Sequence, residues 1–86
     1  MERFETGEVI VTPEADVFLT EQQVENLIYL HTHLAEGIYT HGVQVFRNEC
    51  ALQCGYSIEN CYDVNGLWYF VTTTSDRKRT IIRLNG

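Results

Sequence analysis

Two histidines and three cysteines are the residues of this chain best suited to metal or redox chemistry: His31, His33, Cys50, Cys54 and Cys61. Imidazole nitrogens and thiolates are the usual ligands of zinc. His31 and His33 are two positions apart in a predicted helix, which turns them about 200° from each other, so they cannot chelate one ion together. The cysteine spacing matches no close-paired zinc motif. A Cys/His metal-binding or redox module is therefore the alternative reading, while we expect no metal, no cofactor and a hydrogen-bonded core position for His31.

Motifs for catalysis are also missing from the sequence. A cysteine or histidine nucleophile needs a neighbouring base and a third, orienting group, and no local motif suggests them. Glu21 and Glu25 share a predicted helix face, but an exposed carboxylate pair has little cause for a raised pKa. No glycine-rich loop precedes a helix to cradle a phosphate group. We therefore expect that the protein is not an enzyme.

Length and composition are typical of one small globular domain, which we predict to span residues 1–86. The chain has 86 residues, of which 44% are hydrophobic, and a formal net charge of −6. That charge disfavours nonspecific attraction to nucleic acid and to anionic lipid. The odd number of cysteines argues against a disulfide framework, the acidic start lacks signal-peptide features, and no apolar run is long enough to cross a membrane. We expect reduced thiols and a cytoplasmic location.

An amphipathic helix is the element with the clearest start signal. Thr20 and Gln23 form a capping box, and an apolar stripe follows at helical spacing. The stripe consists of Val24, Leu27, Ile28, His31, Leu34, Ala35 and Ile38. We predict that the helix spans about residues 21–40 and ends in a Schellman motif at Gly42.

Strand signals dominate the rest of the chain. Residues 56–64 and 67–74 flank Asn65-Gly66, which tolerates the positive φ angles of a type I′ turn and so predicts a two-residue β-hairpin. Further strands are predicted at residues 9–11, as an edge strand that ends before Pro13, and at residues 43–46 and 79–84. The predicted fold is α+β, with one amphipathic helix on one face of an antiparallel sheet of four to five strands, in the order β-α-β-β-β-β.

The hairpin also assigns each residue to one face of the sheet, because side chains alternate along a strand. We predict that Val64 lies opposite Leu67 and that Val71 lies opposite Ile82. The face for the helix then comprises Ile58, Tyr62, Val64, Leu67, Tyr69, Val71, Ile82 and Leu84.

The opposite face of the sheet is the first predicted site. It carries Glu59, Cys61, Asp63, Trp68, Phe70, Thr72, Arg79, Ile81 and Arg83. Because one helix cannot cover both faces, we expect the large apolar side chains here to be partly exposed, and exposed Trp, Phe and Arg are typical of protein interfaces. The predicted partner-binding residues are Trp68, Phe70, Ile81 and Arg83. The alternative is that Phe4 and the N-terminal arm complete a small second core on this face.

The outer surface of the helix is the second predicted site. Tyr29 points away from the apolar stripe and has Glu25 and Glu36 around it, an arrangement that suits a basic partner such as a nucleic-acid-binding protein. The alternative is an ordinary solvated helix face. Direct nucleic-acid binding would depend on Arg83 and the basic run 77–79 beside Trp68, and the acidic remainder of the chain disfavours it.

The resulting hypothesis is a noncatalytic protein-binding domain, a regulator or inhibitor that occludes a partner protein. Compact acidic domains without catalytic motifs are common among inhibitors of host defence carried by phages and mobile elements, such as anti-CRISPR proteins, and this analogy sets an expectation only. A small core also favours self-association, and we expect a homodimer through the sheet.

Overall fold

The computed structural model describes residues 2–35, 37 and 42–85, and for residues 42–46 it describes the backbone only. Within these ranges the chain forms the strands β1 (Glu8–Val11), β2 (Ile58–Val64), β3 (Leu67–Thr73) and β4 (Arg79–Leu84), and the helices α1 (Pro13–Asp16), α2 (Glu21–Thr32) and α3 (Gly42–Cys54). The strands make one mixed sheet in the order β1-β4-β3-β2. The predicted α+β class is confirmed, and the described residues contain helices that the sequence pattern did not predict.

The hairpin of β2 and β3 has the predicted turn and register. Asn65 and Gly66 have φ angles of 53° and 85°, as a type I′ turn requires. Val64 lies opposite Leu67, and the next turn brings Val71 opposite Ile82. The two faces of the sheet are therefore the predicted ones.

Strand β1 is an edge strand, as predicted, but it runs parallel to β4. The expectation of a wholly antiparallel sheet is therefore wrong. Strand β4 pairs with β3 along one side and with β1 along the other, where Ile10 lies opposite Ile81. After β1, Pro13 begins the one-turn helix α1, a position where its missing N–H costs nothing.

Helix α2 begins at the predicted capping box and ends well before residue 40. Thr20 Oγ1 accepts from the Gln23 N–H, and the Gln23 side chain accepts from the Thr20 N–H. At the other end, the Thr32 hydroxyl donates to the Ile28 carbonyl (2.9 Å), and Leu34 has a φ of 52°. These two features close the last helical turn and reverse the chain, so the prediction of a helix to Thr40 is wrong.

The segment after α2 packs against the edge of β2 instead of continuing as a helix. The Tyr62 hydroxyl donates to the Ala35 carbonyl (2.9 Å). A Cβ atom at Gly37 would lie 2.0 Å from the Cys61 carbonyl oxygen, so this close approach requires glycine. The predicted Schellman end at Gly42 is wrong, because Gly42 begins helix α3. Ile38, the last residue of the predicted stripe, lies outside the described residues.

Helix α3 occupies the region where we predicted a strand at residues 43–46. Gly55, with a φ of 76°, follows its last turn, and the Tyr56 N–H donates to the Ala51 carbonyl (3.0 Å), the bond of a Schellman motif. The side chains of Asn48 and Ala51, on the same helix, are buried. This tertiary packing and the glycine cap override the β propensity of the first residues, so the predicted strand is wrong.

The helices and the sheet enclose the hydrophobic core on one face of the sheet. The buried members of this cluster are Ala15, Leu19, Leu27, Tyr62, Tyr69, Val71 and Ile82. Those from the sheet belong to the face predicted to receive the helix. Among the described helices, none is long and apolar enough to cross a membrane.

Candidate protein-binding surface

The second face of the sheet, here called the open face, lies opposite this core. Strand alternation places on it Glu8, Ile10, Glu59, Cys61, Asp63, Trp68, Phe70, Thr72, Arg79, Ile81 and Arg83. The four residues predicted to bind a partner there, Trp68, Phe70, Ile81 and Arg83, are thus on adjacent strands β3 and β4. The described core cluster has no member on this face.

The apolar side chains of the open face differ in exposure. Trp68 is 44% exposed and Ile10 is 37% exposed, whereas Phe70 and Ile81 are half-buried. This confirms the expectation that the large apolar side chains here are partly exposed. Cys61, on the same face, is buried. Trp68 and Ile10 are therefore the most exposed apolar side chains of the face in relative terms.

Arg83 is held in place over the middle of the open face. Its guanidinium carbon lies 4.5 Å from the centroid of the Phe70 ring, in cation–π geometry. Its Nη2 atom lies 3.4 Å from Glu59 Oε2, which also accepts from the Thr72 hydroxyl at 3.0 Å. These contacts restrict the Arg83 side chain, so less conformational entropy is lost when a partner binds it.

Phe4 does not cover the open face, so the alternative of a second core built from Phe4 is wrong. Its ring packs edge-on against His31 with centroids 5.1 Å apart, and the Arg77 guanidinium carbon lies 5.8 Å from it. The side chain of His31 lies among the residues of the helix-covered face. The arm is held there by bonds such as that from the Arg3 N–H to the Thr32 carbonyl (2.9 Å).

The second predicted site lies on the helical side of the molecule, away from the open face. Tyr29 is 62% exposed, as expected, and its ring stacks on His33 with centroids 4.1 Å apart. Glu25 is exposed near it, and Glu36 lies outside the described residues. Because α2 packs on the other face of the sheet, the structure does not bring Tyr29 and Glu25 together with Trp68.

A chain of hydrogen bonds through the core is the polar feature that sequence reasoning missed. The Asn48 side-chain amide donates to Asn60 Oδ1 (2.7 Å), and the Asn60 amide contacts His31 Nδ1 (2.8 Å). Because Asn60 Oδ1 already accepts a hydrogen bond, its NH₂ group donates to His31 Nδ1. His31 Nε2 in turn contacts Thr73 Oγ1 (2.8 Å). His31 is thus the hydrogen-bonded core residue that we expected.

The hydrogen bonds at the other end of this chain, beyond His31, fix the same order of donors and acceptors. The Thr80 hydroxyl donates to the Thr6 carbonyl (2.8 Å), so it accepts from the Thr73 hydroxyl at 2.6 Å. The Thr73 oxygen then accepts from His31 Nε2–H. Both ends therefore require the neutral His31 tautomer with its proton on Nε2. Burial, aided by the positive charge of Arg77, lowers the pKa of His31 to about 4.

Only the spacing of polar residues along the strands could have suggested this chain of hydrogen bonds, and that spacing is a weak signal. Alternation of side chains along β2 and β3 puts Asn60 and Thr73 on the helix-covered face, where their polar side chains enter the core. A buried polar group without a partner is costly, so such residues would be expected to pair with each other. The partner could not be chosen from sequence because Asn48 belongs to the unpredicted helix α3.

The three cysteines differ in burial. Cys54 is exposed, Cys50 half-buried and Cys61 buried, and all three are free. Burial raises the pKa of the Cys61 thiol, which disfavours the reactive thiolate. Within the described part of the chain, no three His, Cys, Asp or Glu residues are arranged to hold a metal ion.

Comparison of the chain with protein-family models, curated proteins and solved structures found no significant match.

Proposed function

We propose that this chain is a noncatalytic protein-binding domain that occludes a surface of a partner protein through the open face. The observation that carries the proposal is the exposure of Trp68 beside the ordered Arg83 side chain, on the sheet face opposite the core. Tryptophan and arginine are the residues most often found at the energetic centre of protein interfaces.

The arrangement of charge supports a specific partner surface rather than nonspecific adhesion. Arg83 reaches from β4 over Phe70 to Glu59 on β2, while Asp63 lies on β2 directly opposite Trp68. A partner would therefore meet the Trp68 side chain beside a carboxylate at one end and the Arg83–Glu59 ion pair at the other, which favours one orientation of binding. The helix face with Tyr29 and Glu25 has fewer exposed apolar residues, and we propose no separate partner for it.

A regulatory or inhibitory role is part of the same proposal. A domain that covers a partner surface blocks whatever that surface binds, and it needs no catalytic group to do so. The phage or mobile-element setting, with host-defence machinery as the partner, depends on the analogy of an acidic composition. A cytoplasmic location is proposed because the chain carries three free cysteines, one of them exposed.

Affinity purification with matched variants tests this proposal. Tagged wild-type protein, Trp68→Ala and Phe18→Ala are expressed in the native host, and the proteins retained by each are quantified. Phe18 is the control because it is also an exposed aromatic residue, at 56%, and belongs to the α1 region on the helical side. We expect wild type and Phe18→Ala to retain one specific partner and Trp68→Ala to lose it by at least about 30-fold, the effect of one interface hot spot.

The variants must also be shown to fold, which thermal unfolding of each purified protein establishes. Retention of the partner by a folded Trp68→Ala variant would contradict the proposal. Loss of the partner in Tyr29→Ala, with retention in Trp68→Ala, would assign binding to the helix face instead.

A further inference from the structure

Among the described residues, no strand neighbours the side of β1 that faces away from β4, and the hydrogen bonds to β4 show which backbone groups point to that side. The Glu8 N–H donates to the Lys78 carbonyl (2.9 Å), and the Thr12 N–H donates to the Ile82 carbonyl (3.0 Å). In a parallel ladder the N–H and C=O of one residue point to the same side, and successive residues alternate. Val9 and Val11 therefore direct their backbone groups away from β4, and no described residue bonds to them.

In the described part of the chain, this edge has only some of the features that protect natural edge strands from pairing. Natural edge strands are very short, carry charged residues or a proline, contain a bulge, or are covered by another segment. Strand β1 is short, at four residues, and carries one charge, Glu8, but it has no lysine, internal proline or bulge and keeps a regular register with β4. Val9 is 39% exposed and Ile10 is 37% exposed, on opposite faces of the sheet. At the other edge, by contrast, Gly37 closely approaches the backbone of β2.

We propose that β1 pairs with β1 of a second copy of this chain. The two strands run antiparallel about a two-fold axis at Ile10, and they join the two sheets into one continuous sheet. Val9 lies opposite the partner's Val11, and their outward N–H and C=O groups form roughly four reciprocal backbone hydrogen bonds. The two Ile10 side chains meet on the open face.

The register follows from the geometry of the strand itself. A pairing centred on Val9 would need Gly7 to extend the ladder, but Gly7 has a φ of 63°, outside the extended region. The register centred on Ile10 uses only strand residues. It also places Glu8 beside the partner's Thr12, so the two Glu8 carboxylates are not adjacent. This self-complementarity is the reason for assigning a second copy rather than a foreign strand.

Pairing of β1 with a second copy would also change how the open face meets a partner. A two-fold axis perpendicular to the joined sheet keeps both open faces on the same side of the dimer. The two Trp68 side chains would then form a bivalent surface, which raises avidity for a symmetric or repeated partner. Each β1 edge is used once, so the interface closes and does not propagate into fibres.

Sedimentation equilibrium over a wide range of protein concentration tests the dimer. Ile10→Lys places a charge at the centre of the pairing, and Val9→Pro removes an outward N–H without removing a bond to β4. Val17→Lys is the matched control because Val17 is 76% exposed and lies outside the strand. We expect wild type and Val17→Lys to be dimers, and at least a tenfold weaker dimer for both β1 variants.

Amide hydrogen exchange of the wild-type protein gives a second measurement that does not depend on any variant. The Val9 and Val11 amides should be protected in the dimer and lose protection on dilution. The Ile10 amide should stay protected at both concentrations, because it points to β4. A monomer at every concentration, or a dimer whose Val9 and Val11 amides exchange freely, would overturn the proposal.

Two further outcomes separate this interface from other ones. Dissociation by Trp68→Ala together with an intact Ile10→Lys dimer would overturn it and assign the dimer to the open face. Protection of Val9 that appears only after a different protein is added would overturn it in favour of a foreign strand. Loss of the dimer in Ile10→Lys, with the captured partner of the open face still bound by the monomer, would support it independently of the proposed function.

Discussion

Acidification should destabilise this protein through one buried side chain, His31, well before its carboxylates are protonated. The hydrogen-bond chain holds His31 neutral with its proton on Nε2. Protonation would put a second N–H on Nδ1, directly against the amide NH₂ of Asn60, which lies 2.8 Å away. Asn60 cannot turn its oxygen to His31 without losing the bond that it accepts from Asn48. The native state therefore resists the proton, and the unfolded chain does not.

The sign and size of the effect follow from the pKa difference. His31 has an ordinary pKa of 6.5 in the unfolded chain and a pKa of about 4 in the native structure. Between these values the unfolded state binds more protons, so the free energy of unfolding is fully retained above pH 6.5 and falls as the pH is lowered towards 4. At about 1.4 kcal/mol per pKa unit, the loss is about 2 kcal/mol by pH 5 and about 3 kcal/mol by pH 4. The entire free energy of unfolding of a small domain is only about 5–15 kcal/mol.

Urea unfolding at pH steps from 7 to 5 measures this loss, in a range where carboxylates contribute little. His31→Gln removes the titrating group and should flatten the pH dependence, while His33→Gln, which changes a half-buried histidine, should keep it. If His31→Gln does not fold, the imidazole ¹⁵N shifts of the wild-type protein serve instead, and they should show the Nε2–H tautomer down to pH 5. An equal pH dependence in wild type and His31→Gln, or titration of His31 near pH 6.5, would refute the reasoning.

Two further predictions concern single contacts that hold the fold together. Gly37→Ala should lower the free energy of unfolding by about 3 kcal/mol, because its Cβ would collide with the backbone of β2. Gly55→Ala should lower it by only about 1 kcal/mol, the cost of a positive φ angle. Thermal unfolding compares the two variants, and equal losses would contradict the close approach of Gly37. Arg77→Ala should lower the free energy of unfolding by about 2 kcal/mol and speed amide exchange in the last turn of α3, because Arg77 donates to the Ala51 carbonyl (3.3 Å). Lys78→Ala is the control, and similar effects of both changes would refute this capping role.

The parts of the fold that were predictable from sequence depend on local chemistry. The Asn65-Gly66 turn permits one hairpin register, and that register alone assigns every side chain of β2 and β3 to a face. The Thr20 capping box likewise marks the start of α2 without reference to the rest of the chain. The open face was predictable for the same reason, because alternation within a known hairpin needs no tertiary information.

The parts that could not be predicted depend on contacts between distant segments. Gly42 was predicted to end the helix, but α2 ends at Thr32, and Gly55 instead ends α3, followed by Tyr56, whose N–H donates to the Ala51 carbonyl. Strand β1 is apolar and short, so its parallel pairing with β4 had no local signal. The role of His31 needed Asn48, on a helix that β propensity concealed.

The central claim is that the open face binds a partner protein, and Trp68 offers the most direct measurement of it. The chain has one tryptophan, so labelling with 5-fluorotryptophan gives a single ¹⁹F resonance that reports on that face alone. The labelled protein is titrated with the partner obtained by affinity purification. We expect the resonance to shift and broaden in proportion to the bound fraction. A resonance that stays unchanged while the partner binds would contradict the claim.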